Sequence, residues 1–290
     1  MFIASSDSCG RDLGSLDSFP PGFQPPHLST MLREGENILE LSAHVYGNYH
    51  KYYTFHSANS RIQLLTGRSV FQTIWIAQGR PSVFRILDIG CNEGDLSIEL
   101  LHLVQAELSG DVVCELVGAD IDPSLIQLAS TKYKDETVAQ FHCVDFLDQH
   151  ALDTFAMALR DRFGSQEAFS LVTIFSTTMW VHINHGTEGL AQFFRHACSL
   201  LVPHTGTMLL EPQPSKCYKS AVKRCRKLGL PEPKFIHQID VKTVEDTVKD
   251  TLQSVKRFDK ILQLGREDWE RALILFSDSD LEKSILPSLV

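Results

Sequence analysis

Residues 83–96, VFRILDIGCNEGDL, run from an apolar stretch through two glycines into an amphipathic one. The apolar residues up to Ile89 predict a buried strand, and residues 95–108 have the apolar spacing of a helix. Gly90 and Gly94 allow a backbone with positive φ and let a ligand approach the main chain closely. The stretch therefore predicts a strand, a ligand-binding turn and a helix, although an ordinary tight turn would need the same glycines.

The same alternation of strand and helix patterns continues along the chain. Strand-like runs lie at 114–121, 138–146, 168–176 and 206–212, and helical runs follow them at 123–133, 150–163, 186–201 and 216–230. A helical run at 59–78 comes before the first strand, and a helix at 243–254 and strand-like runs near 255–264 and at 271–276 end the pattern. The alternation predicts an α/β fold with a doubly wound, mostly parallel seven-stranded sheet. Ligands of such sheets bind at the carboxyl ends of the strands.

Composition limits the class of protein. The 290 residues are 43% apolar and 22% charged, as in ordinary soluble domains. No window has the roughly 18 uncharged apolar residues of a membrane span, and the first residues lack the pattern of a secretory signal. Seven cysteines without a CxxC pair argue against a disulfide framework or a zinc ribbon, and indicate a reducing, cytoplasmic setting.

The ends of the chain and its charge add two expectations. Residues 1–30 are rich in Ser, Asp, Gly and Pro, and we expect them to form a disordered leader before a single domain at 31–290. The net charge of −9 argues against indiscriminate nucleic-acid binding. It leaves room for a local basic site.

Acidic residues at two further strand ends point to a nucleoside. Asp120 follows Gly94 by 26 residues and ends the second strand, where a carboxylate can accept hydrogen bonds from ribose hydroxyls. Asp145 and Phe146 end the third strand and suit an adenine ring, although each acid could also be a turn or N-cap residue. Asn92 stands where the dinucleotide fingerprint G-x-G-x-x-G has its middle glycine. A pyrophosphate, and with it an NAD oxidoreductase, is therefore disfavoured.

The pattern D-x-G-x-x-x-G with acids at the next strand ends resembles the S-adenosylmethionine-dependent methyltransferases of the seven-stranded class I, Rossmann-like type. Residues 178–186, TMWVHINHG, and 210–214, LEPQP, resemble the bicoid-interacting family of RNA 5′-phosphate methyltransferases. The resemblance covers residues 46–230, and residues 216–230 look most like the branch that methylates 5′-monophosphates. In one departure from the family's pattern, Ser215 stands where a Trp is expected after E-P-Q-P.

The resemblance implies a cofactor, a substrate class and a set of binding residues. The cofactor is S-adenosylmethionine, and the substrate is a small structured RNA with a 5′-phosphate, namely a tRNA such as histidine tRNA or a precursor microRNA. We also expect a monomer without a metal or membrane contact. Arg61 is implied to lie over the methionine carboxylate, with a surface salt bridge as the other interpretation. The implied cofactor-binding residues are Arg61, Asp88, Gly90, Asn92, Gly94, Asp120, Asp145, Phe146 and Phe175.

The chemistry of the implied reaction asks for alignment more than for a base. A phosphate monoester is already anionic near pH 7, and correct alignment can contribute about 7–11 kcal/mol. We therefore expect hydrogen-bond donors around the phosphate, and the candidate catalytic residues are Tyr52, Trp180, His182 and Asn184. Trp180 could instead be a core residue, and His182 a residue of a helix start. A metal site is not expected, because no thiolate pair and no i, i+4 histidine pair is present.

A basic helix is predicted after the fifth strand. Residues 216–227 contain six basic residues and no acidic one. The lysines at 3,4,4 spacing share one helix face, with Cys217, Ala221, Cys225 and Leu228 on the packed face. A face of one sign suits phosphate contacts, although it could be merely solvated. The predicted RNA-binding residues are Lys216, Lys219, Lys223, Arg226 and Lys227.

Other functions remain open at this point. A related enzyme could act on an RNA triphosphate end, which needs more room and more positive charge. A small-molecule methyltransferase would make the basic helix incidental. A non-catalytic RNA-binding relative would have no need of the Gly90, Asp120 and Asp145 series.

Overall fold

The computed structural model describes residues 47, 49, 52–55, 58–108, 110–164, 168–266 and 269–278, without the side chains of residues 54 and 55. The predicted leader at 1–30 lies outside these residues. Within the described residues, three helices come before the first strand: α1 (Tyr52–Phe55), α2 (Asn59–Leu65) and α3 (Val70–Ala77). The prediction of a single helix at 59–78 is wrong. The helix is interrupted between α2 and α3, where Ser69 has a φ of 51°.

The rest of the described chain alternates between strands and helices. In order these are β1 (Val83–Ile89), α4 (Asp95–Glu107), β2 (Val113–Asp120), α5 (Pro123–Lys132), β3 (Ala139–Cys143), α6 (Gln149–Phe163), β4 (Leu171–Phe175), α7 (Thr178–Ser199), β5 (Thr207–Glu211) and α8 (Ser215–Leu228). A 3-10 helix (Ile236–Gln238), α9 (Val244–Val255), β6 (Lys260–Arg266) and β7 (Ala272–Ser277) follow.

The strands form one sheet in the order β3-β2-β1-β4-β5-β7-β6. The first five strands pair in parallel, and β7 lies antiparallel between β5 and β6. The strand order reverses between β1 and β4, which places the switch point beside the glycine turn. The predicted doubly wound, mostly parallel seven-stranded sheet is therefore confirmed.

Helices cover both faces of the sheet. The side chains of β1 accordingly alternate between two apolar clusters, one on each face. Leu87 and Ile89 pack in one cluster with α6, α7 and α9. Phe84 and Ile86 pack in the other with α2, α3 and α4. Burial on both faces explains why the parallel strands are nearly continuous apolar runs.

Helix α7 begins eight residues earlier than the predicted run at 186–201. Gly186 has φ 70° and ψ −174°, so two helical segments meet there at a break. The stretch from Thr178 to His185 is the first segment, and its Met179 and Ile183 pack against Tyr218 and Ala221 of α8. This contact fixes the basic helix against the motif that follows β4. No helix within the described ranges is both long and apolar enough to cross a bilayer.

Candidate active site

A cavity of about 650 Å³ opens at the carboxyl ends of the parallel strands. Its walls come from the turns after β1, β2, β3 and β4, from the first segment of α7, from one face of α8 and from the chain just before β7. This is the place that strand order predicts for a ligand. The size lies in the range of ordinary small-molecule sites.

The glycine turn forms one wall of this cavity. Gly90 has a φ of 83°, and a Cβ there would lie 2.1 Å from the Thr177 hydroxyl, so only glycine fits. Asn92, also at positive φ, lines the cavity, and its side-chain amide donates to the Tyr49 carbonyl at 3.0 Å. Gly94 does not line the cavity: it precedes the first turn of α4 with a φ of 84° and faces Phe141. Its predicted contact with the cofactor therefore does not fit its position.

The two acids at the strand ends both face the cavity. The Asp120 oxygens accept from the backbone amides of Asn92 at 2.9 Å and Asp122 at 3.0 Å. Burial raises the pKa of Asp120 to about 6. Asp145 accepts from the Leu147 amide at 2.8 Å, and burial raises its pKa as well. Phe146 and Phe175 are buried beside them and line the same cavity.

Asp88 does not reach the cavity lining. It is 2% exposed inside β1, where its oxygens accept from Ser97 at 2.5 Å and Thr173 at 2.7 Å. These bonds tie β1 to α4 and β4, so Asp88 supports the turn from behind. The prediction that Asp88 itself binds a cofactor does not fit this position.

A buried ion cluster forms the floor of the cavity. Glu211, at the end of β5, accepts from Arg61 through Nε at 2.6 Å and Nη2 at 3.0 Å. Arg271 lies 3.5 Å from the same carboxylate and donates to Tyr52 at 2.8 Å. Burial raises and the two cations lower the pKa of Glu211, with a net downward shift. The cluster therefore carries one carboxylate for two guanidinium groups.

One nitrogen of the Arg61 guanidinium has no hydrogen-bond partner among the described residues. This nitrogen, Nη1, is buried, while Arg61 itself lines the cavity. A buried donor without a partner is costly. The atom is thus a candidate to bind an anionic group of a ligand.

The first segment of α7 places some of the candidate catalytic residues in the cavity lining, but not all of them. Trp180 and Asn184 line it, as do Tyr52 of α1 and His185. His182 is 1% exposed and lies outside the lining, with ring nitrogens 3.2 Å from the hydroxyls of Tyr218 and Thr187. Burial lowers the pKa of His182 to about 4, so the ring is neutral at pH 7. The expectation that His182 contacts the phosphate is therefore corrected: it joins α7 to α8.

Helix α8 lines the cavity with a row that includes only one of the predicted RNA-binding residues. Lys216, Ser220 and Arg224, four residues apart, line the cavity, and the guanidinium of Arg224 lies 5.7 Å from the ring centre of Tyr49. Its buried face holds Tyr218, not the predicted Leu228, which is 44% exposed. The other predicted RNA-binding residues are exposed outside the lining: Lys219, Lys223, Arg226 and Lys227.

The sequence does not mark several residues that lie in or beneath the cavity. Glu211 and Gln213 were visible only as letters of the E-P-Q-P motif, yet Gln213 accepts from the Met179 amide at 3.0 Å and donates to the Ser176 carbonyl. Arg271 and Trp269 lie more than 80 residues beyond the last of the predicted strand-end acids, with no pattern to mark them. Arg224 is one of the six basic residues at 216–227, but the lysine spacing does not single it out as a binding residue. Among the described residues, no group of three or more His, Cys, Asp or Glu could hold a metal ion.

The sequence of the chain is similar to those of known proteins. The profile of the family described as Bicoid-interacting protein 3 (Bin3) matches residues 169–278. The RNA 5′-monophosphate methyltransferase of Homo sapiens is 32% identical over 254 residues, which are 85% of this chain and 85% of that protein. The pre-miRNA 5′-monophosphate methyltransferase of Danio rerio is 34% identical over 239 residues, 80% of this chain and 91% of that protein.

Two solved structures resemble the chain more distantly. The N-methyltransferase NodS from Bradyrhizobium japonicum, in complex with S-adenosyl-L-homocysteine, is 17% identical with a TM-score of 0.42 over 73% of this chain and 86% of that chain. Monomeric WbdD is 18% identical with a TM-score of 0.48 over 81% of this chain and 45% of that chain. The strand order itself confirms the predicted class I methyltransferase fold. From the identity and coverage of its relatives, the chain belongs to the Bicoid-interacting protein 3 family.

Proposed function

We propose that the protein is an S-adenosylmethionine-dependent methyltransferase that methylates the 5′-monophosphate of a small RNA. One observation carries the proposal: a single cavity is lined both by acceptors for a nucleoside, here called the acceptor wall, and by cationic side chains, here called the cationic wall. Asp120 and Asp145 supply the acceptors, and Lys216 and Arg224 supply the cations. The relatives named RNA 5′-monophosphate and pre-miRNA 5′-monophosphate methyltransferases support the choice of substrate.

The residues of the acceptor wall fit S-adenosylmethionine. Each carboxylate oxygen of Asp120 accepts one backbone amide and keeps a further lone pair, so ribose hydroxyls can donate to it. Asp145 beside Phe146 can accept from the adenine amino group. The buried Nη1 of Arg61 can donate to the methionine carboxylate. When bound, the cofactor supplies an electrophilic methyl group on a sulfonium.

The cationic wall positions the phosphate. The 5′-monophosphate carries close to two negative charges at pH 7, so no side chain has to remove a proton. Lys216 and Arg224 from α8 bind and orient the phosphate oxygens, and Asn184 and Trp180 supply further hydrogen-bond donors from α7. The Tyr52 hydroxyl accepts a hydrogen bond from Arg271, which attaches α1 to the floor of the cavity. Holding the oxygen in line is where most of the rate enhancement originates.

The outer face of α8 extends the binding surface to the body of the RNA. This face consists of exposed basic residues on the same helix as the cavity-lining row: Lys219, Lys223, Arg226 and Lys227. Contacts to backbone phosphates suit an RNA recognised by its end and shape. We take the substrate to be a tRNA, such as histidine tRNA, or a precursor microRNA. The enzyme would act as a monomer in the cytoplasm, with residues 31–290 as one domain.

The test compares three RNAs that differ only at the 5′ end. The protein is incubated with labelled methyl donor and with the same short hairpin bearing a hydroxyl, a monophosphate or a triphosphate. Transfer to the monophosphate alone, weakened by Arg224→Ala and not by Arg195→Ala on the exposed face of α7, is the expected result. Transfer to the triphosphate alone would assign the chain to capping, and transfer to none of the three would refute the proposal.

A further inference from the structure

Trp269 stands at the cavity, in the connection between β6 and β7. Its side chain is 46% exposed and also lines the cavity, as does Arg271 two residues later. Single exposed aromatic residues are common on protein surfaces and need no explanation. This one shares a cavity wall with the cations proposed to hold a phosphate, which sets it apart.

The two residues that follow Trp269 are held in place by contacts with three parts of the fold. Glu270 has a φ of 63°, its carboxylate lies 2.7 Å from Nζ of Lys216, and its carbonyl accepts from Arg266 at 2.7 Å. Arg271 is 7% exposed and donates to Tyr52 and Ser176 in the cavity floor. The indole is therefore carried by a segment anchored to α8, to β6 and to the floor of the cavity.

An aromatic ring beside phosphate-binding cations is the arrangement that binds a nucleotide. Bases stack on aromatic side chains while neighbouring cations contact the backbone, and the stacking tolerates every base because each has a π-face. Lys216 is bonded to Glu270, so the cation proposed for the 5′-phosphate and the indole lie on adjoining parts of one wall. A phosphate bound by Lys216 would carry its own nucleoside toward Trp269.

We infer that Trp269 is the stacking platform for the base of the first nucleotide, whose 5′-phosphate is methylated. The inference rests on the proposed function and extends it from the phosphate to the nucleoside. It makes Trp269 a substrate-binding residue that favours an unpaired or frayed first base over one closed within a duplex. Recognition by stacking leaves the identity of the first base free.

The test measures binding of RNA to the full chain by fluorescence anisotropy. Two 3′-labelled hairpins carry a 5′-monophosphate, one with its first base and one abasic at that position. Removal of the base should weaken binding to the wild type roughly 5- to 150-fold, the range of one stacked base. Trp269→Ala should bind both hairpins alike, at the wild type's affinity for the abasic one, and Trp269→Phe should recover most of the preference. Met157→Ala, at an exposed apolar residue of α6 outside the cavity lining, should behave as wild type.

Two outcomes overturn the inference. One is a wild type that binds both hairpins equally. The other is a Trp269→Ala variant that still prefers the first base. A methyl-transfer assay on the same RNAs separates this failure from failure of the proposed function: transfer to the monophosphate without any preference for the base refutes the stacking platform alone. Base-dependent binding without methyl transfer to any 5′ end refutes the proposed function and leaves the stacking platform.

Discussion

Arg61 and Glu211 stand 150 residues apart in the chain and form a buried two-point ion pair beneath the cavity, with donor–acceptor distances of 2.6 and 3.0 Å. Both side chains are 1% exposed. The pair joins the helices that come before the sheet to the end of β5. It also orients the guanidinium of Arg61, which leaves Nη1 without a partner among the described residues.

The first prediction concerns this pair. Glu211→Gln leaves the guanidinium groups of Arg61 and Arg271 buried against a neutral amide. Breaking a buried ion pair costs about 3–5 kcal/mol, so the free energy of unfolding should fall by that order in urea denaturation. Glu188→Gln is the control, because its pair with Arg195 is exposed and such pairs contribute little. A loss no greater than the control's would show that other groups hold the two arginines.

The contrast between the sheet and this pair shows what the sequence can predict. The parallel strands were predictable because each is a local apolar run that ends at a turn, as β1 does at Gly90. The position of β7 between β5 and β6 depends on pairing between distant strands, which local periodicity does not encode. The Arg61–Glu211 contact is of the same kind, since only the folded sheet brings β5 beside α2.

The face of a helix is harder to predict than its existence. The helix at 216–230 is predictable from its apolar spacing, but the spacing of the lysines predicts an RNA-binding stripe and not the row that faces the cavity. Tyr218 is fully buried against α7, and this packing rotates Lys216, Ser220 and Arg224 toward the cavity. Charge periodicity alone cannot fix that rotation. A tyrosine counted as part of the packed face would have indicated it.

The second prediction concerns the pH dependence of cofactor binding. Burial raises the pKa of Asp120 to about 6, so its carboxylate is protonated below that pH and ionised above it. Only the ionised form accepts from both ribose hydroxyls, so affinity for S-adenosylmethionine should rise as the pH rises from 5 to 7. The Asp120→Asn variant should bind S-adenosylmethionine roughly 10- to 150-fold more weakly than the wild type at pH 7.5. This range corresponds to the loss of about 1.5–3 kcal/mol, the contribution of a hydrogen bond to a charged group. The affinity of the variant should also vary little with pH.

Isothermal titration calorimetry between pH 5 and 8 checks this prediction. Asp145→Asn is the control, because burial raises the pKa of Asp145 too. If Asp120 sets the pH dependence, that variant binds more weakly but still gains affinity through pH 6. A wild-type affinity that stays constant from pH 5 to 7 would remove Asp120 from the ribose site.

The third prediction follows from the position of His182. His182→Ala leaves the fully buried Tyr218 without its ring partner, which should lower the free energy of unfolding by about 1–3 kcal/mol. The folded variant should keep its kcat for methyl transfer, because His182 does not line the cavity. Denaturation and single-turnover kinetics on the same preparation measure both effects. Wild-type stability with a reduced kcat would instead make His182 part of the reaction.

The wild-type protein should carry a matching pH signature. Burial lowers the pKa of His182 to about 4, whereas an unfolded histidine titrates near 6.5. Between these values the unfolded chain binds the extra proton, so the stability that His182 contributes is present above pH 6.5 and is lost as the pH falls toward 4. The difference in unfolding free energy between wild type and His182→Ala should therefore narrow from pH 7 to pH 5.

The last prediction separates the two faces of α8. Lys219→Glu with Lys223→Glu changes two exposed lysines that do not line the cavity, whereas Arg224→Ala changes one residue that does. If the lysines neutralise backbone phosphates, the double variant lowers the log–log salt slope of RNA binding by about 1.4–1.8, because each lost contact removes about 0.7–0.9. It should keep the wild-type preference for a 5′-monophosphate over a 5′-hydroxyl, and Arg224→Ala should lose much of that preference.

Salt-titrated binding with both RNAs distinguishes the faces. Cofactor affinity should change in neither variant, because Asp120 ends β2 and Asp145 follows β3, so neither belongs to α8. Lys134→Glu, at an exposed lysine after α5, shows how much of the effect comes from each charge reversal as such. A salt slope that the double variant leaves unchanged would make the outer face only a solvated surface. RNA would then reach the cavity along another path, while an intact effect of Arg224→Ala would still place the terminal phosphate beside α8.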